Sequence, residues 1–421
     1  MLIVLCTILI TNSQVNKSTQ ADKNTPSPAQ IVQRQTSPAT KNQLQGKLVF
    51  IRNDNLWLLD NGIEKQLIND AISTEIPYWT GLSELWYSNP QISPDGNKIA
   101  YLKNTTTDSR TLVISDTNGK NVKQLANDVE WTIPIIQWSN NSQKIYYPSS
   151  EGMEMIAVIS VDVATSEKEK HGQFALKSGC GGRSSDPADH ISAAENITSV
   201  GGGVQIFNLS PRNDYIVHTT ACTGTGLGIF ELSTKQDRKL DDKAMRAVIS
   251  PNGQRVAAIL DNNILIFEAS TGKVQKTYQV SEKPLILLWG EKENAIYYST
   301  SKLVKTLNYD DQLALDVLGS SPASYRVNNA SLWKLLLDSE KSEKIIDFDA
   351  HNVKPIFSKD QKLLMVVVEN ANSLFEYVKQ QKTKENMASY YPKVKISEVD
   401  LLNQTSNIIV DKAQQSFYFF E

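Results

Sequence analysis

Short apolar runs recur along the chain, each followed by a similar polar turn and then a second apolar run. Ile92-Ser93-Pro94-Asp95-Gly96 leads into Lys98-Ile99-Ala100-Tyr101, and Ile249-Ser250-Pro251-Asn252-Gly253 into Arg255-Val256-Ala257-Ala258. Leu209-Ser210-Pro211-Arg212-Asn213 leads into Tyr215-Ile216-Val217. Weaker copies stand at Trp138-Ser139-Asn140-Asn141, Trp289-Gly290-Glu291-Lys292 and Phe357-Ser358-Lys359-Asp360. Proline presets φ at the first central position, Asp or Asn follows, and Gly or Asn takes the left-handed position that closes a hairpin. The flanking runs alternate or are wholly apolar, as buried antiparallel strands are.

The turn recurs at 93, 139, 210, 250, 290 and 358. A base step near 40 residues with longer steps between fits β-propeller blades of about 40–45 residues carrying insertions. Each blade reads as four strands. Strand A precedes the turn and strand B follows it. Strand C carries an aliphatic–aromatic pair, as in Asn55-Leu56-Trp57, Asn263-Ile264-Leu265-Ile266-Phe267 and Ser331-Leu332-Trp333; strand D ends in Leu or Ile, as in Lys65-Gln66-Leu67-Ile68. Gly46-Lys47-Leu48-Val49-Phe50 looks like a strand B with no strand A before it. Ser416-Phe417-Tyr418-Phe419-Phe420 has the strand A pattern with no turn after it. The pattern therefore predicts an all-β, seven-bladed β-propeller in which the C-terminal strand completes the first blade. Closure of this kind removes open sheet edges.

The turn Ile92 to Gly96, the strand Ile99-Ala100-Tyr101, the Asp116-Thr117-Asn118-Gly119 turn and Lys123-Gln124-Leu125 together resemble the WD40-like (PD40) repeat of TolB-type β-propellers. The resemblance spans nearly everything from Gly46 to Glu421. It implies the fold and says little about function. TolB carries an α/β domain ahead of its propeller, whereas the residues here read as a leader and linker, a departure that weighs against expecting a role in a Tol-type envelope complex.

Leu2 to Ile10 reads LIVLCTILI. The run is too short to span a bilayer as a helix, which takes about 20 residues, and suits the apolar region of a signal peptide. No Lys or Arg precedes it, and Leu5 stands before Cys6 where a lipoprotein would have a small residue. Residues 1–13 are read as a signal peptide or short N-terminal anchor. Residues 14–45 are rich in Ser, Thr, Asn, Gln and Pro, and cannot bury enough surface to offset their ordering entropy. They are read as a disordered linker, and residues 46–421 as the propeller. The expected location is outside the cytoplasm, periplasmic or extracellular, with membrane contact only through the N-terminus.

With 421 residues, 40% hydrophobic and 21% charged, the chain has material for a large core. Its net charge of -3 gives no basic surface for nucleic acid. The sequence holds no G-x-S-x-G, H-E-x-x-H, C-x-x-C or G-x-x-x-x-G-K-[ST], and only 4 histidines. No catalytic residue, metal site or cofactor is expected, and the protein is read as a monomeric binding scaffold for a protein or a cell-wall polysaccharide.

Four segments exceed the base period: Asn69 to Glu84, Gln173 to Gly203, Ser301 to Ala330 and Glu369 to Pro392, the last with a short helix expected. Because strands alternate in direction, all four fall on the face opposite the A–B turns. Such loops are where a propeller carries its binding surface. The candidate ligand-binding residues there are Tyr78, Trp79, Trp86, Tyr87, Arg183, Asp186, Asp189 and His190. Aromatics could stack on sugar or peptide, though Trp86 and Tyr87 could equally pack beneath the first insertion. The alternative is an envelope polysaccharide lyase or hydrolase at the channel mouth; its acid–base candidates are only Arg183, Asp186, Asp189, His190 and His218, all around one blade, which favours the binding reading. A disulfide is expected between Cys180 and Cys222, since both flank blade 4 on the inserted face and export supplies an oxidising compartment.

Overall fold

The recurring apolar runs form 28 β-strands, and among the described residues there is no helix. In this computed structural model the described residues are 46–72, 85–105, 110–130, 135–150, 155–175, 207–220, 226–308, 324–358, 362–369, 394–413 and 417–420. The chain divides into two units, Met1–Asn42 and Gln43–Glu421. The first lies outside the described residues, and so does the rest of the expected leader and linker.

Blade 1 begins with β1 (Lys47–Arg52), β2 (Asn55–Asp60) and β3 (Ile63–Gln66). Blade 2 is β4 (Leu85–Ile92), β5 (Lys98–Thr105), β6 (Arg110–Asp116) and β7 (Lys123–Ala126). Blade 3 is β8 (Gln137–Trp138), β9 (Lys144–Ser150), β10 (Met155–Asp162) and β11 (Lys168–Ala175). Blade 4 is β12 (Phe207–Leu209), β13 (Tyr215–Thr219), β14 (Leu227–Glu231) and β15 (Gln236–Asp241). Blade 5 is β16 (Met245–Ile249), β17 (Arg255–Leu260), β18 (Asn263–Glu268) and β19 (Val274–Gln279). Blade 6 is β20 (Ile286–Trp289), β21 (Ala295–Asn308), β22 (Ser324–Leu336) and β23 (Lys341–Phe348). Blade 7 is β24 (Asn352–Phe357), β25 (Leu363–Val368), β26 (Val394–Asp400) and β27 (Thr405–Ala413). The last strand, β28 (Phe417–Phe420), pairs antiparallel with β1 from Lys47↔Phe420 to Phe50↔Phe417. The first sheet therefore has the order β28-β1-β2-β3, and the other six are sequential four-stranded meanders. This is the seven-bladed propeller, with its C-terminal strand in the first blade, that the repeat pattern predicts.

The core is divided among seven interfaces between blades. Leu56 and Leu58 meet Ile99 and Tyr101 between blades 1 and 2. The last interface, where Leu48 and Phe50 meet Leu364, Val394 and Ile396, packs blade 7 onto blade 1 and closes the ring. Because successive side chains point to opposite faces and both faces of a blade are covered, the middle strands read as continuous apolar runs. Ile264, Leu265, Ile266 and Phe267 are all buried. The outermost strands keep polar sequences, as in the exposed Ile63-Glu64-Lys65-Gln66 of β3.

The repeated turn serine is a buried hydrogen-bond hub. Ser250 is 0% exposed; its Oγ donates to Asn252 Oδ1 at 2.8 Å and accepts from Arg255 N at 3.1 Å. Ser93 and Ser139 repeat the pattern with Asp95 and Lys98, and with Asn141 and Lys144. Gly96 and Gly253 hold φ of 74° and 71°; Ser142, Asn213 and Glu293 take the same left-handed position at 60°, 57° and 56°. The last three reach back to the preceding blade. Ser142 Oγ accepts from Asp95 N (3.0 Å), Asn213 Oδ1 from Asn140 N (3.2 Å), and Glu293 Oε1 from Asn252 N (2.6 Å). These bonds offset the cost of a left-handed non-glycine residue and stitch the turns together around this face. Ser250→Ala leaves the part-buried Arg255 amide without its acceptor, so a loss of about 1 kcal/mol is expected in urea unfolding.

Two of the expected insertions have different bounds in the structure. β11 runs on to Ala175, so the connection from blade 3 to blade 4 starts three residues later than the sequence suggests. The segment Ser301 to Ala330 is not a loop at its base: β21 and β22 continue as a two-stranded ribbon from Ser301↔Ala330 to Asn308↔Ser324. Residues 309–323, 73–84, 176–206 and 370–393, the last including the expected helix, lie outside the described residues.

Candidate ligand-binding face and channel

The two faces of the propeller are built differently. One carries the short A–B and C–D turns. The other receives the ends of strands B and D and the starts of strands A and C, and from these ends run all four long connections. The β21–β22 ribbon rises on this second face. Its Leu303 and Val304 are 51% and 57% exposed, and Lys302 and Lys305 are exposed beside them.

Of the sequence-predicted residues, Trp86 and Tyr87 are described, both in β4 at the start of this face. Trp86 is half-buried, and its carbonyl accepts from Asn104 Nδ2 at 3.3 Å. Tyr87 is buried among Val49, Ile51, Leu56 and Leu58 and meets Tyr101 edge-on at 5.7 Å. Its hydroxyl donates to Asp70 Oδ1 at 2.7 Å. Burial, reinforced by Asp70, pushes this phenol well above the usual tyrosine range. Tyr87 is thus a core residue with an engaged hydroxyl, the packing alternative weighed above. Tyr78, Trp79, Arg183, Asp186, Asp189 and His190 lie outside the described residues, as do Cys180 and Cys222.

His218, considered above as an acid–base group, is fully buried between blades 3 and 4. Its Nδ1 faces Thr219 O at 3.0 Å and its Nε2 faces Asp237 Oδ1 at 2.8 Å. The ring stacks on Phe174 with centroids 3.8 Å apart. Gly228 makes room for it: a Cβ there would stand 2.7 Å from His218 Nε2. The imidazole is enclosed, with both nitrogens occupied, and is a structural element of the blade interface. At the connection-bearing end of blade 2, Arg110 and Glu130 are both buried. Burial brings the Arg110 guanidinium down to about 10 against the opposing pull of Glu130.

The inner strands carry a set of residues that the sequence did not single out. Polar side chains reach from one inner strand to the next. Gln91 Nε2 donates to Ile136 O, Asn208 Nδ2 to Ala247 O at 3.1 Å, and Arg246 Nη1 to Leu285 O at 2.5 Å. In the reverse sense Trp138 Nε1 donates to Gln91 O at 3.3 Å and Trp289 Nε1 to Val248 O at 3.1 Å. The available signal was one polar residue in an otherwise apolar strand A, as in Met245-Arg246-Ala247-Val248-Ile249. Among the described residues no three His, Cys, Asp or Glu side chains converge as metal ligands, and no helix is long and apolar enough to cross a membrane.

No protein-family model matches the chain, and no curated protein matches it. Among solved structures it is similar to TolB from Acinetobacter baumannii at 11% identity and TM-score 0.40, over 70% of this chain and 62% of that one. An oligogalacturonate lyase in complex with manganese is similar at 12% identity and TM-score 0.48, over 86% and 85% of the two chains. A chain of the mitotic checkpoint complex is similar at 12% identity and TM-score 0.45, over 96% and 92%. The chain thus spans less than two thirds of the TolB structure. The fold assignment rests on the strand topology, and likeness at this level assigns no activity.

Proposed function

We propose that this protein is an exported or surface-tethered binding scaffold with TolB-type, WD40-like repeats. It holds a protein or a cell-envelope polymer on the face that carries the long connections. The observation supporting this reading is the asymmetry of the faces. One is closed by tight turns held by serine hubs and cross-blade bonds. The other gathers four long connections and an exposed ribbon on a rigid base, the arrangement in which scaffolds carry recognition loops. The leader-like Leu2 to Ile10 run and the polar linker are the basis for export.

The test is to replace residues 302–329, outboard of the Ser301↔Ala330 pair, and residues 370–393 with short turns. Capture of a partner or polymer from an envelope fraction is expected to be lost while the melting transition is kept. Retained capture, combined with its loss when the A–B turns are altered, would reverse the assignment of faces. Turnover of a bound polymer, rather than its retention, would transfer the reading to a lyase or hydrolase.

A further inference from the structure

Inner strands of a closed propeller are flanked by neighbouring blades and paired outward to strand B, so between the two faces water reaches them from the central channel. Residues two and four places before the turn are half-exposed in all three blades: Arg246 and Val248 in β16, Ile286 and Leu288 in β20, Lys354 and Ile356 in β24. Arg246, Ile286 and Lys354 occupy equivalent places in three consecutive blades. Ile286 also packs with Ile356 against the cluster of blades 7 and 1, so the apolar side chains of this stretch lie together.

Arg246 is anomalous in two independent ways. It sits at a β-bulge between Met245 and Val248 with φ 55°. The equivalent bulge in β4 places Asn89 at φ 49°, a residue type that tolerates the left-handed region, whereas Arg does so at a cost. Second, its guanidinium is part-buried, and its one hydrogen bond is to the backbone carbonyl of Leu285; among the described residues no carboxylate pairs with it. Burial alone pulls its pKa below the usual arginine value. A part-buried cation without an anion, on a strained backbone, is disfavoured for stability alone.

We infer that Arg246 is an anion receptor in the channel, and that it takes the carboxylate of a ligand with an apolar body. One donor of the guanidinium goes to Leu285, and the remaining fork matches the two oxygens of a carboxylate. Ile286, which follows Leu285 in the chain, and Ile356, which packs with it, supply apolar surface beside it. Because the site lies on the inner strands rather than the connections, its test is independent of the loop-face reading.

Titration calorimetry on the full chain with hexanoate, 1-hexanol and inorganic phosphate tests this. Hexanoate is expected to bind, with the alcohol and phosphate each weaker by about tenfold or more, as loss of a charge-assisted pair or of apolar contact implies. R246G is expected to lose hexanoate affinity by about tenfold or more without melting lower than the parent, since glycine relieves the left-handed strain. Should R246G not fold, R246K keeps the charge and loses the fork, and its hexanoate affinity is expected to fall. Equal binding of hexanoate and hexanol, tighter binding of phosphate than of hexanoate, or unchanged hexanoate affinity in the variants would each overturn the assignment. So would a marked fall in the melting temperature of R246G with hexanoate binding retained.

Discussion

Removing residues 416–421 is expected to abolish the monomeric folded protein. β28 is the inner strand of blade 1, held by the ladder from Lys47↔Phe420 to Phe50↔Phe417 and lying against β4 of blade 2. Without it, β1 presents an unpaired edge to the channel, and the clusters on either side of blade 1 lose their inner cover. Both contain side chains with no solvent exposure, such as Leu48, Phe50 and Leu56. Total stabilities of folded domains are about 5–15 kcal/mol, so losing a strand from a closed ring removes a large share. The exposed edge is then a template for pairing with a second copy. Size-exclusion chromatography with light scattering, followed by a thermal melt, reads the result. A truncated monomer with an unchanged melting temperature would contradict ring closure by this strand.

The second large effect is expected at His218. His218→Ala removes a ring that is wholly buried and stacked on Phe174, and leaves Asp237 without the group it faces. Aromatic-to-alanine changes in cores cost about 3–5 kcal/mol, and a comparable loss is expected here. Gly228 already approaches this ring closely, so the surrounding backbone is shaped around it. The expected readout is a large drop in the urea midpoint, with ligand capture preserved under conditions where the variant remains folded. An unaltered midpoint combined with lost capture would make His218 a functional group instead.

The fold was legible because its signals are local. The Ser-Pro-Asp/Asn-Gly turn specifies its own geometry within five residues, and the Ser93, Ser139 and Ser250 hubs show why the serine recurs. Blade count and closure followed from placing those turns in order. The ribbon was not legible, since Lys302 to Asn308 and Ser324 to Asn329 lack a strong apolar alternation and are held as strands by pairing with each other. Tyr87 could not be assigned from its neighbours in sequence, because its burial comes from blade 1 and its hydroxyl partner from Asp70. The same holds for Arg246, whose contact with Leu285 and whose backbone conformation arise only when blades 5 and 6 are packed. Of the loop residues proposed from sequence, Trp86 and Tyr87 fall within the described residues, and they show the contrast between a half-buried and a buried aromatic at adjacent positions.

The central proposal is that binding occurs on the connection-bearing face, and lysines mark the two faces separately. Lys302 and Lys305 are exposed on the ribbon; Lys120, Lys235 and Lys292 are exposed on the turns of the opposite face. The decisive measurement is amine-reactive cross-linking of the captured complex, read by mass spectrometry. Links from the partner to Lys302 and Lys305, with none to Lys120, Lys235 or Lys292, are the result expected. Links confined to those three turn lysines would contradict it.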